Sequence, residues 1–180
     1  MDAITPGPDR AQSPDPGHSK DSSLREKILE HVLMGELLRV LWKTGRREIE
    51  VLRAEVDRGG YDLVLEANGV VRYIQLKSSY LGATTAEVDI NMRLARKPGG
   101  CVLWLQFDPQ TLELGPFLWY GGRPGEKLPL LGDRVSCHSK GDSLGKKSPR
   151  PNLRVLTKGK FTVLRSIEDV VQSLFGESTT

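Results

Sequence analysis

Gly60-Tyr61-Asp62-Leu63-Val64-Leu65-Glu66-Ala67-Asn68-Gly69-Val70-Val71-Arg72-Tyr73-Ile74-Gln75-Leu76-Lys77 reads as a β-hairpin that gathers an acid, an amide and a lysine on one face. Asn68-Gly69 between two apolar runs signals a two-residue turn, because both central residues must reach positive φ. With those two residues as the whole loop, Ala67 pairs with Val70 and Asp62 falls opposite Gln75. Opposed side chains on a hairpin have Cβ atoms roughly 4.5–5.5 Å apart, close enough for both to touch one cation. Lys77 lies two residues beyond Gln75 and shares its face. Leu63, Leu65, Ile74 and Leu76 alternate onto the other face, as a buried sheet surface requires.

Outward from the hairpin, the pattern predicts a mixed sheet with helices on its faces. Ser22 or Ser23 is placed to cap a helix running to about Thr44 and ended by Gly45. Glu48 to Arg53 alternates as a strand. After the hairpin, Thr84 or Thr85 is placed to cap a second helix through about Arg96, closed by Pro98-Gly99-Gly100. Cys101 to Phe107 is a near-continuous apolar run, as expected of a strand buried on both faces. The order is therefore α, three strands, α, strand: an α/β fold of the α+β mixed-sheet kind. Further strands are expected at Leu112–Leu114 and Phe117–Tyr120, and a last helix over Ile167–Phe175, capped by Ser166 and stopped by Gly176.

Composition divides the 180 residues into a tail at 1–23, a core at 24–108, and an extension at 109–180. The tail holds Pro6, Pro8, Pro14 and Pro16 with almost no apolar side chains, so it is expected to be disordered. It lacks the charged and apolar regions of a signal peptide, and no apolar run reaches the roughly 18 residues of a membrane span. A cytoplasmic protein with no membrane partner is the expectation. The net charge of +3 is unevenly spread, because four aspartates against Arg10 and Lys20 make the tail net −2 and leave +5 on the remainder. Between His138 and Arg165, eight lysines and arginines face Asp142 alone. Such an excess suits a polyanion, although a solvated loop would have the same composition. Lys146, Lys147, Arg150, Arg154, Lys158 and Lys160 are the candidate nucleic-acid contacts. Trp104, Phe117, Trp119 and Tyr120 are assigned to the core rather than to base stacking. Cys101 and Cys137 are too few for a disulfide framework or a zinc knuckle, and Cys137 has no assigned role.

On the first helix, Ile28, Val32, Glu36 and Val40 recur at intervals of four. A glutamate within an apolar stripe must be paired, protonated or bound to a cation. The competing assignment is an ion pair with Arg39, one turn away. Glu55, Asp57 and Glu66 are reserve carboxylates.

Asp62, Gln75-Leu76-Lys77 and an upstream glutamate resemble the PD-(D/E)XK nuclease superfamily, with Gln75 where a glutamate is usual. The resemblance spans about residues 24 to 108, the length of that superfamily's restriction-endonuclease-like αβββαβ core. It implies Mg²⁺, with Mn²⁺ able to substitute, held by Asp62, Glu36, Gln75 and the backbone carbonyl of Leu76. It also implies that Lys77 supports the attacking water or the transition state. The implied activity is phosphodiester hydrolysis leaving a 5′-phosphate, with DNA the expected substrate and a homodimer one expected arrangement. Replacing a carboxylate by the amide of Gln75 removes one negative charge from a site for a hard cation. That keeps a second reading open, a non-cleaving nucleic-acid-binding module on a degenerate nuclease core. A purely protein-binding subunit is the third.

Overall fold

The computed structural model describes residues 21–56, 58–138 and 147–177. Helix α1 (Ser22–Lys43) comes first, followed by β1 (Ile49–Arg53), β2 (Leu63–Ala67), β3 (Val70–Tyr80) and β4 (Glu87–Asn91). A 3₁₀ turn at Leu94–Arg96 leads to β5 (Gly100–Phe107) and β6 (Leu114–Gly121). Strands β7 (Val135–Cys137), β8 (Pro149–Thr157) and β9 (Thr162–Leu164) precede the last helix, α2 (Ile167–Phe175). A six-stranded sheet runs β1-β2-β3-β5-β6-β9, and a three-stranded sheet runs β4-β8-β7. The fold is thus mixed α+β, and the large sheet is itself mixed, because β3 and β5 pair in parallel while its other neighbours are antiparallel.

The hairpin has the register its turn dictates. Asn68 and Gly69 take φ of 48° and 78°, and Ala67 pairs with Val70, through to Leu63 with Ile74. Each face of the large sheet then has its own core. Leu63, Leu65, Ile74 and Leu103 pack beneath both helices, against Leu29, Leu33 and Leu37 of α1 and Val170 and Leu174 of α2. The opposite face buries Val102, Trp104, Leu118 and Tyr120 against Ile90 of β4, Leu156 of β8 and Phe161. The four aromatic residues expected in the core, Trp104, Phe117, Trp119 and Tyr120, are all buried, as is Cys101; Cys137 is exposed.

Two expectations are corrected. Thr84 and Thr85 cap no helix: Glu87–Asn91 is strand β4, antiparallel to Leu153–Thr157 of β8. Val88 and Ile90 alternate towards the second core, and β-branched residues at a two-residue period satisfy a sheet partner better than a short helix. The tail also ends sooner than residue 23, since α1 begins at Ser22; the disorder expected of residues 1–20 lies outside the described residues. At the other end of the chain, Ser166 caps α2 as expected, in a capping box with Asp169. Among the described residues no helix is long and apolar enough to cross a membrane.

Candidate active site

The site arises where β3 outruns its neighbour. Strand β3 has eleven residues, but β2 pairs with it only as far as Leu63 opposite Ile74. The Asp62 N–H still donates to the Ile74 carbonyl at 2.9 Å, and its carboxylate then turns back so that Oδ2 accepts from the Leu76 N–H at 2.6 Å. A strand residue's N–H and C=O point to the same edge, so the Leu76 carbonyl faces this side too. Gly60 permits the approach of the chain to Asp62: a Cβ there would lie 2.7 Å from the Cβ of Asn91 on β4. Strand β1 ends beside it, with the Ala54 N–H on the Asp62 carbonyl at 3.0 Å.

The gap between these strand ends and β3 is a groove of about 660 Å³, roofed by the first turns of α1. Asp62, Leu76, Lys77 and Ser78 line it from the sheet, Arg53 from β1, and Glu26, Lys27 and Glu30 from the helix. Asp62 and Lys77 therefore line one groove, as the sequence suggested.

Glu36 and Gln75 do not join them. The helix buries Leu29, Leu33, Leu37 and Leu41, a line at intervals of four that runs one residue away from the expected stripe. Ile28 and Val32 are consequently exposed, and Glu36 pairs with Arg39 at 3.8 Å in water. Glu30, next to that leucine line and six residues before Glu36, reaches the groove, as does Glu26 one turn earlier. The position of Glu30 followed from Leu29-Leu33-Leu37-Leu41, an all-leucine repeat beside the one read from the sequence. Gln75 is buried under β4, where its Oε1 takes a long hydrogen bond of 3.4 Å from the Asn91 N–H. Of the reserve carboxylates, Glu66 sits opposite Val71 near the turn, and Asp57 lies outside the described residues.

The basic segment divides. Lys146 lies outside the described residues, while Lys147 and Lys160 are exposed. Arg150 pairs with Asp89 at 3.4 Å, and Arg154 donates to the carbonyls of Pro151 and Leu153 at 2.8 and 3.1 Å. Lys158 donates to Gln106 Oε1 at 3.2 Å and stands 5.8 Å from the centre of the Trp104 ring. These three side chains are occupied within the fold.

Glu30 is largely enclosed, with its side chain 13% exposed. Arg53 Nε lies 2.8 Å from one of its oxygens and Lys27 Nζ 3.2 Å from the other. Among the described residues no three His, Cys, Asp or Glu side chains converge to hold a metal by themselves. The groove is thus no all-protein cage. Its donors do fit Mg²⁺, which keeps several waters and binds proteins through one or two carboxylates. Asp62, Glu30 and the Leu76 carbonyl supply that kind of set.

No protein-family model and no curated protein matches the chain. Among solved structures, the bacterial homing endonuclease I-Ssp6803I is similar at 20% identity and a TM-score of 0.28, covering 67% of this chain and 85% of that one. A likeness this loose decides neither the fold nor the chemistry, which rest on the geometry above.

Proposed function

We propose that this chain is a metal-dependent nuclease whose active site is the groove at the open end of β3, acting on DNA. The observation that supports the reading is that Asp62 and Lys77 line one groove with a helix acid, Glu30, beyond the point where the β2–β3 pairing ends. Asp62, Glu30 and the Leu76 carbonyl are the groups that would hold Mg²⁺. When bound, the metal lowers the pKa of a coordinated water and offsets the charge of the scissile phosphate.

The chain's own residues do the rest. Asp62 lines the groove with its carboxylate oriented by the Leu76 N–H. Lys77 stands on the adjacent position of the same strand and offers a cation to the charge that grows on the phosphorane oxygens. Glu30 provides negative charge from the roof. Gln75, turned under β4, acts as a support for the strand and not as a ligand.

A specific observation favours a second reading. Glu30 is already paired with two cations, and Gln75 brings no carboxylate, as in a core that binds nucleic acid without cutting it. One experiment separates the two: supercoiled plasmid and single-stranded DNA incubated with Mg²⁺ or Mn²⁺, using wild type, Lys77→Ala and Asp62→Ala prepared identically. The nuclease reading expects cutting by wild type that both substitutions abolish. Cutting that survives both would remove the site from this groove. Salt-sensitive binding with no cutting would favour the binding module.

A further inference from the structure

We propose that Arg53 is an exchangeable counter-ion, which neutralises Glu30 before metal binds and takes the substrate phosphodiester once metal has displaced it. The inference rests on the nuclease reading and concerns a residue to which that reading gives no role.

Arg53 is fixed at its base and partly exposed at its tip, where Nη1 lies 3.5 Å from His31 Nε2. It closes β1 opposite Leu63, one position from Asp62, so its backbone is held by the sheet next to the candidate metal ligand. Its side chain crosses to the helix, with Nε 2.8 Å from Glu30 Oε1, yet remains 44% exposed. Glu30 is only 13% exposed. The carboxylate is therefore the fixed member of the pair and the guanidinium the one with room to leave.

Charge balance gives the exchange its direction. Three acids in the groove (Glu26, Glu30 and Asp62) face three bases (Lys27, Arg53 and Lys77). A divalent cation placed on Asp62 and Glu30 makes the groove cationic and competes with Arg53 for the same oxygen. The displaced guanidinium then has the incoming phosphodiester as its nearest new anion, and its planar fork of donors matches phosphate oxygens. Lys27, also on Glu30, is 67% exposed and carries a point charge on a flexible stem, so it gains less geometric definition from the same exchange. No bond is made or broken in this step; one ion pair replaces another.

The alternative is a staple, in which the pair simply fastens the end of β1 to α1. The two ideas predict opposite signs for metal binding. Mn²⁺ affinity would be measured by calorimetry without DNA for wild type, Arg53→Ala and Arg53→Lys. Affinity for a short duplex would be measured in Ca²⁺ over a range of salt, with the melting temperature recorded for each variant. For an exchangeable counter-ion, Arg53→Ala binds Mn²⁺ about 3-fold more tightly, the scale of one partly exposed ion pair. The same variant binds duplex about 10-fold or more weakly, with a salt slope reduced by about one phosphate contact. Arg53→Lys keeps the charge and falls between the two on both readouts.

Mn²⁺ binding by Arg53→Ala that equals or falls below wild type overturns the proposal and leaves a staple. If that variant binds metal more tightly but holds duplex as well as wild type, the phosphate role is overturned. Wild type that binds no Mn²⁺ and cuts no DNA ends both this inference and the nuclease reading. Wild type that cuts, beside an Arg53→Ala with no gain in metal affinity, ends this inference alone.

Discussion

From Val70 to Ile74, β3 lies between β2 and β5; from Gln75 to Tyr80 it has β5 on one side and, at Leu76 to Ser78, the groove on the other. Each half carries a cation, and the surroundings give the two cations different work. Arg72, in the closed half, is fully buried and donates to the carbonyls of Gly122, Arg123 and Ser173 at 2.9, 3.0 and 2.8 Å. Its guanidinium also lies 5.2 Å from the centre of the Trp119 ring. Burial pulls its pKa below the usual arginine value, an effect opposed by the charges of Cys101 and Glu126. Arg72 thus fastens β3 to α2 and to the end of β6. Lys77, in the open half, faces a groove with acids around it. The strand that supplies a site needs one half locked so that the other keeps its shape unpartnered.

The largest expected effect separates these halves by activity. Lys77→Ala should lower cleavage about 10²–10³-fold, the scale of losing one fixed charge donor to a transition state. Its melting temperature should match wild type, and calorimetry beside a plasmid-nicking assay checks both. Loss of folding with Lys77→Ala would mean that the open half is structural as well.

Arg72→Ala should do the reverse. Three carbonyls lose their donor and a buried volume opens, so unfolding in urea should show a loss of about 3 kcal/mol. Cleavage per folded molecule should change little. A cleavage defect without a stability defect would erase the division between the halves.

Ser79→Ala tests how the open half is sealed at its far end. The Ser79 hydroxyl accepts from Trp104 Nε1 at 2.9 Å and from Gln106 Nε2 at 2.6 Å, and all three residues are buried. Removing that oxygen leaves two donors unsatisfied and should cost about 2 kcal/mol, read from the urea midpoint. An unchanged midpoint would mean that water replaces the hydroxyl and that the seal is open.

Ser166→Ala should have the smallest effect. It removes the cap of the helix that Arg72 grips through Ser173, at a cost of about 1 kcal/mol. Asp169 gives this cap a pH dependence. The backbone N–H of Arg165, with that of Ser166, holds its carboxyl below the ordinary aspartate range. A depressed carboxyl stabilises the fold above its unfolded pKa, and the contribution fades as pH falls through the folded value. Helix α2 should therefore loosen on acidification, and hydrogen exchange at its first turn measures it. Protection that persists through acid would detach the cap from α2's stability.

Local chemistry made much of this legible in the sequence. Asn68-Gly69 fixed the register of β2 against β3, the apolar run marked β5, and Ser166 marked the start of α2. Each signal lies within a few residues of what it specifies. Strand β4 was hidden because its partner is β8, more than sixty residues further on, and without that partner Glu87–Asn91 passes for the first half of a helix. Gln75 was misassigned for the same reason, since Asn91 of β4 is what covers it. Glu30 was hidden differently: two overlapping four-residue repeats compete on α1, and the all-leucine one goes to the core.

That competition gives the most direct test of the site. Glu30→Gln and Glu36→Gln would be compared for Mg²⁺-dependent plasmid cleavage, with the melting temperature as a control for folding. Cleavage lost in Glu30→Gln and kept in Glu36→Gln is the predicted result. Cleavage kept in Glu30→Gln and lost in Glu36→Gln would contradict the groove as the site of chemistry.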